Sequence, residues 1–290
     1  MNIAIATDSN SGITAREAEE WGILLLPMPV IIDEETYLEG VDIHTEQLFE
    51  AMAGQRHVTS SQPSPGSVLQ LWRDLLDRGY EAIVYIPMTS GLSGSCQNAA
   101  MLAEDFEGKV YVVDNHRISV TQRASVQEAK AMADGGKTPE EIRAYLESTA
   151  FQASIYLTVA DLQYLQRGGR LSSSAAMLGT LLNIKPILSI QGHQIDVVAK
   201  VRGLKASEAK MIEAIRRDIA HRFGDVPPER LRIAVGGTQR GQEAEQWLSM
   251  VREAFPNAQG AYVRMPCSIA SHVGPDCMAM AVYVQTYPES

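Results

Sequence analysis

The chain has 290 residues, enough for one large domain or two of ordinary size, and its 45% apolar and 21% charged composition is that of a packed globular protein. A formal net charge of −10, with no basic stripe, argues against a nucleic-acid surface and against binding to an anionic membrane surface. Three scattered cysteines, Cys96, Cys267 and Cys277, point to reduced thiols in a cytosol, and the opening Met1–Asp8 lacks the basic region and cleavage site of a signal peptide.

Ile3–Ala6 reads as a strand and Ile13–Trp21 as a helix. Gly22–Ile32 is apolar with two prolines and is expected to form a second strand. Thr45–Met52 is a short amphipathic helix with Thr45 as its expected N-cap, and Ser64-Pro65 opens another, with Val68, Leu71, Trp72 and Leu75 on its buried face. A strand at Ala82–Ile86, a helix at Cys96–Phe106, a strand at Val110–Val113 and a helix at Ser119–Asp134 that stops at Gly135-Gly136 continue the alternation. Helix Pro139–Ser148 closes the first half. Ser154–Val159 begins the second, and Leu178–Ile190 is dense in apolar residues around Lys185-Pro186. Gln191-Gly192-His193-Gln194 is a hairpin-like turn between two strands. Ala206–Phe223 is a long amphipathic helix, Leu231–Val235, Gln242–Phe255 and Ala261–Met265 repeat strand, helix, strand, and Cys277–Thr286 is a closing strand. This order predicts an α/β fold of two domains, 1–153 with a parallel wound sheet and 154–290 with mixed α/β character.

Four loops are crowded with hydroxyls and glycines: Thr7–Gly12, Thr59–Gly66, Thr89–Ser95 and Arg167–Ser174. The first and third follow an apolar run and precede a helical pattern. Backbone N–H groups, hydroxyl donors and a helix N-terminus make such a place an anion site, so a small acidic ligand is the leading expectation. In an open α/β sheet that ligand sits at the carboxyl ends of the strands. Ser93 lies just before a helix, between Gly91 and Gly94, which permit close backbone approach. A serine in that place also serves as a plain helix cap, binding its own backbone.

The set Ala6-Thr7-Asp8-Ser9, Ser60–Gly66, Ser90–Ser95, Leu165–Ser172, Asn183–Leu188 and His272-Val273-Gly274-Pro275 resembles the DegV family, in the family's order and over nearly the whole chain. The resemblance implies a two-domain bacterial protein that holds a long-chain fatty acid in an apolar tunnel between its domains. It further implies that the lipid is presented to a separate ATP-binding subunit of a fatty acid kinase and converted to an acyl phosphate, with transient membrane contact for lipid exchange. By the same resemblance Ser93 and Ser60 donate to the carboxylate, with Ser61 and the Gly94 backbone beside them. His272 lies near the head group, and Arg170 and Arg202 meet the kinase subunit or the new phosphate. Thr121 and Arg123 stand where the family commonly has glycine, and Asp276 follows His-x-Gly-Pro where glycine is common. The twelve methionines, among them Met28, Met88, Met101, Met177 and Met265, are candidates for lining an adaptable tunnel or for ordinary core filling.

A rival reading is a serine hydrolase. Gly91-Leu92-Ser93-Gly94-Ser95 approaches the G-x-S-x-G elbow but ends in Ser95, and His272 would supply the base. No G-x-x-x-x-G-K-[ST] or strand-borne G-x-G-x-x-G is present, and the six histidines show no H-x-x-H or H-x-H spacing, so no nucleotide cofactor and no metal are expected.

Overall fold

The structure is a computed structural model that describes residues 1–172, 184–256 and 262–287. The chain divides into two compact units: Met1–Phe151 with Pro266–Ser268 and Gln285–Ser290, and Gln152–Met265 with Ile269–Val284.

The first unit is built on a four-stranded parallel sheet, in the order β2 (Leu24–Leu26), β1 (Ile3–Asp8), β6 (Ala82–Ile86) and β7 (Val110–Val112). The strands read as continuous apolar runs because both faces are covered. Ala4, Ala6, Ile83 and Tyr85 pack on one side with helices α3 (Pro65–Asp77) and α4 (Ser95–Ala103). Ile5, Val84 and Ile86 pack on the other with α1 (Ala15–Trp21), α5 (Val120–Asp134) and α6 (Pro139–Ser148). The two-residue period of a strand divides the core into these two layers. Trp72 is fully buried in the first layer and meets Tyr85 and Phe106 edge to face, at 5.7 and 5.4 Å between centroids. Each such pair contributes about 1 kcal/mol beyond the area it buries.

Helix starts follow their local chemistry. Ser64 caps α3 by accepting from Ser67 N, with Pro65 in the first turn. Thr138 and Glu141 form a capping box on α6, as Thr14 and Glu17 do on α1. The helix α2 (Thr45–Ala53) is capped differently from expectation: His44 is the N-cap and Thr45 is the first helical residue. The apolar run Gly22–Ile32 is not one strand. It breaks after Leu26 into β2 and β3 (Pro29–Ile32), because Pro27 has no N–H for the ladder and the chain changes sheets there. β3 joins β4 (Glu35–Leu38) and β5 (Val58–Ser60) in a separate antiparallel sheet, a feature the hydrophobic pattern does not announce.

The second unit carries a six-stranded mixed sheet. Its order is β10 (Asp196–Arg202), β9 (Ile184–Ile190), β8 (Ala153–Thr158), β13 (Met278–Val284), β11 (Leu231–Gly237) and β12 (Tyr262–Arg264). Among the described residues only β11 and β12 pair in parallel, around the helix α9 (Gly241–Ala254). The long helix α8 (Leu204–His221) supplies Met211 and Ile215, and α9 supplies Trp247, to a core shared with Tyr156, Ile187, Met278, Met280 and Val282. Two short helices complete the unit's described residues: α7 (Gln163–Gly168) and α10 (Cys267–Val273), whose start, through Ser268, falls in the first unit. All three cysteines are free and buried.

Candidate functional site

The carboxyl ends of β1 and β6 carry two of the loops on which an acidic ligand was expected. The first of them, Thr7–Gly12, is consumed by the fold. Thr7 Oγ1 donates to the Ile86 carbonyl, Ser9 Oγ to Glu39 Oε2 and Ser11 Oγ to the Asp8 carbonyl, and Thr7 through Ser11 are all buried. Hydroxyls whose protons already go to backbone carbonyls or to the Glu39 carboxylate are not ligand donors, so the expectation of an anion site in this loop is corrected. Its centre is a buried acid. Burial pushes the Asp8 carboxyl up, while Met88 N (2.8 Å), Gln122 Nε2 (3.1 Å) and Asn10 N (3.1 Å) donate to it and oppose that shift.

Asp8 thereby sets the start of the third loop through Met88. Thr89, fully buried, then organises the turn: its N–H donates to the Arg117 carbonyl, and it accepts from Gly91 N at its hydroxyl and from Leu92 N at its carbonyl. The Asp114 carboxyl accepts from Ser90 N at 3.3 Å and from His116 N at 3.2 Å. Arg117 is itself fixed in the interior by Ser125 Oγ and the carbonyls of Thr149 and Ala150.

On this platform Ser93 is half-buried. Its oxygen accepts from Ser95 N at 3.2 Å, and among the described residues its proton reaches only Ser95 Oγ, also at 3.2 Å. Ser93 is therefore not the cap expected of a serine before a helix: Gly94 is the N-cap and has no side-chain cap bond. Ser93 instead closes a local turn onto the N–H two residues on, and its own donor makes only a long contact and is able to turn to another acceptor. Gly94 is exposed, with ordinary helical dihedrals and free space where a Cβ would stand, 3.5 Å from Gln62 Oε1. That contact brings the second hydroxyl loop beside the third. There Ser60 is half-buried at the end of β5, and Ser61 is exposed and donates its N–H to the Pro29 carbonyl.

His272 sits in the last turn of α10 against the end of α7: a Cβ on Gly168 would fall 2.5 Å from His272 Nδ1. Burial, and then the charge of Arg170, lower its imidazole to about 4, so the ring is neutral at cellular pH. Arg170 is half-buried, donates to the Gly168 carbonyl, and is drawn below its usual value by burial. The segment around it is stitched down by Ile195 N donating to the Arg170 carbonyl and Ser172 N to the Ile195 carbonyl. Arg202 stands exposed at the end of β10, opposite Ile184. Ser173, Ser174, Met177 and Leu178–Asn183 lie outside the described residues. Of the other methionines singled out, Met28, Met88 and Met265 are buried, whereas Met101 is 65% exposed.

A hydrolase elbow does not form. The elbow places its serine on a tight strand-to-helix turn, but Ser93 comes seven residues after the end of β6, and both of its hydrogen bonds go to Ser95. Among the described residues no group of His, Cys, Asp and Glu could hold a metal ion.

The model of the family described as "Uncharacterised protein, DegV family" matches residues 2–285. The chain belongs to the DegV family. Protein DegV of Bacillus subtilis is 30% identical over 277 residues, 94% of this chain and 96% of that protein. A DegV domain-containing protein of Deinococcus radiodurans is 33% identical over 84% of each chain. Among solved structures, a DegV family protein from Thermus thermophilus described by its fatty acid binding superposes with a TM-score of 0.87 at 26% identity, covering 98% of this chain and 100% of its own. Bacillus subtilis DegV, described as a fatty acid binding protein, gives 0.85 at 29% with the same coverage.

Against that family background the departures in this DegV chain have local explanations. Asp276 takes φ +58°, a conformation glycine adopts freely and Asp better than most residues. Thr121 is buried and bonds back to Ile118, and Arg123 pairs with Glu17 at 2.6 Å and lies over the Trp21 ring at 4.5 Å. The supporting residues Asp8, Asp114, Arg117, Gln122 and Glu39 have no role assigned by sequence reasoning. Only the apolar surroundings of Asp8 at the end of a buried strand hint at one.

Proposed function

We propose that this DegV chain binds a long-chain fatty acid in an apolar tunnel and presents it, in the bacterial cytoplasm, to the ATP-binding subunit of a fatty acid kinase. The observation that carries the ligand is the full-length likeness to the two DegV structures described as fatty acid binding. A chain of about 16 carbons buries about 14 methylenes, a gross gain of about 11 kcal/mol before ordering costs. The tail supplies affinity, and the head group needs orientation more than strength.

Ser93, Ser60, Ser61 and the Gly94 backbone are assigned to the carboxylate, and His272 remains a head-group residue as the family resemblance has it. Neutral donors suit a ligand that must change charge. On the partner, a carboxylate oxygen attacks the γ-phosphorus of ATP, ADP leaves, and an acyl phosphate results. Hydroxyls and a neutral imidazole accommodate both species, whereas a buried ion pair would hold the carboxylate too firmly. Arg170 and Arg202 are assigned to the kinase subunit or the new phosphate. The carrier does no phosphoryl transfer itself and is expected to bind no ATP. Lipid exchange proceeds by transient membrane contact; no helix among the described residues is long and apolar enough to cross a bilayer.

The test is denaturing extraction of the purified protein followed by lipid mass spectrometry. A stoichiometric long-chain fatty acid is expected. Ser93→Ala should lower retention about tenfold or more, as loss of a hydrogen bond to a charged group does. An extract without lipid, micromolar binding of Mg-ATP by the chain alone, or covalent labelling of Ser93 by an activated-serine probe overturns the reading.

A further inference from the structure

Glu39 is a buried carboxyl that the lipid-binding reading leaves without a task. It follows β4 in a loop, yet it is only 8% exposed. Its partners come from two distant places in the chain. Ser9 Oγ donates to Oε2 at 2.6 Å and in turn accepts from Met28 N at 2.9 Å. Ser268 donates twice, from its hydroxyl to Oε2 at 2.8 Å and from its backbone N–H to Oε1 at 3.2 Å, and the Cys267 backbone donates as well.

Cys267 and Ser268 are the first two residues of α10, where helix N–H groups have no partner inside the helix. A carboxylate at that end satisfies those donors and complements the helix dipole. The bond to the Ser268 hydroxyl adds what a backbone cap alone does not provide, a fixed rotation of the helix about its axis. His272 is four residues further on, so its side chain leaves α10 from the same face as Ser268. Its ring then abuts Gly168, at a distance that leaves no room for a methyl group.

We propose that Glu39 is a positioning residue: by gripping the first turn of α10 through Cys267 and Ser268, it sets the rotation of the helix and with it the place of the His272 ring. The consequence for lipid binding rests on the assignment of His272 to the head group, but the positioning itself does not. The experiment therefore reads His272 directly, by NMR titration of the imidazole Cε1–H in delipidated protein, with His272→Gln identifying the resonance.

In the wild type the ring should stay neutral down to about pH 4. In Glu39→Ala the freed helix should let the ring into solvent, and its midpoint should move toward 6.5 by one pH unit or more, with fatty acid retention falling in parallel. Glu39→Gln keeps an acceptor for the backbone N–H groups and should leave the midpoint nearly unchanged. Should Glu39→Ala fail to fold, Ser268→Ala, which removes one donor and no buried charge, decides: it should shift the midpoint in the same direction by a smaller amount. A midpoint that stays put in folded Glu39→Ala, or in Ser268→Ala when Glu39→Ala is unfolded, overturns the proposal. A shifted midpoint with unchanged lipid retention upholds the positioning and counts against His272 as a head-group residue instead.

Discussion

Gly94 separates two demands that a binding loop usually confounds. Its backbone has the dihedrals of any helical residue, and an added methyl would meet nothing nearer than Gln62 Oε1 at 3.5 Å. The fold therefore has no need of glycine there, whereas the proposed approach of a carboxylate to the backbone does. Gly94→Ala should unfold at the wild-type temperature, to within the roughly 0.5 kcal/mol usual for surface changes, while fatty acid retention falls. Equal loss of stability and retention, measured by thermal melts alongside lipid extraction, would assign the glycine to folding. Gly168 is the opposite case, since a methyl there would strike His272 whether or not a ligand is bound.

The packing of α7 against α10 gives these elements a pH signature. Because burial lowers His272 to about 4, the folded protein binds a proton less readily there than the unfolded chain, whose imidazole titrates near 6.5. The contribution to stability is complete above pH 6.5 and is lost as pH falls toward 4, at a cost on the order of 3 kcal/mol. Asp8 and Glu39 run the other way: burial raises both, so protonation favours the folded state as the pH drops. Urea unfolding at pH 7 and pH 4.5 should therefore show His272→Gln losing less stability than the wild type across that interval. Parallel curves would mean that the ring is open to water.

Elements whose ends carry their own punctuation were readable from sequence. The helix Pro139–Ser148 has Thr138 and Glu141 at its start, and the strand Ala82–Ile86 is a short apolar run between polar neighbours. The division of Gly22–Ile32 was not readable, because both halves are apolar and only pairing partners tell them apart. α10, Cys-Ser-Ile-Ala-Ser-His-Val, is too short and too rich in small residues to show a helical period, and it carries both His272 and the donors to Glu39. Residue type made the hydroxyl-rich loops between strand and helix legible as loops, but did not show that Thr7–Gly12 spends its hydroxyls inside the fold. The candidate site was illegible where an acid 229 residues away completes the cap, since no local pattern records such a pair.

Across the whole molecule, a net charge of −10 repels any fatty acid anion at long range, so the proposed function requires capture by burial of the tail and by donors within hydrogen-bonding distance. The polypeptide also leaves its first compact unit and returns to it. Glu128, fully buried, accepts from Thr286 N at 2.7 Å, Tyr287 N at 3.2 Å and the Tyr145 hydroxyl at 2.7 Å, and the Tyr287 ring meets Tyr145 edge to face. A chain ended after Gln285 should lose roughly 3 kcal/mol through the two missing N–H donors, and Glu128→Gln in the shortened chain should restore part of it; melting temperatures of the three proteins check this. For a chain made from its amino end on a ribosome, the same bonds set a timetable. The parallel sheet is synthesised early, but the acid at its flank waits for donors that emerge more than 130 residues after Phe151, so the earliest-made unit is among the last to be finished.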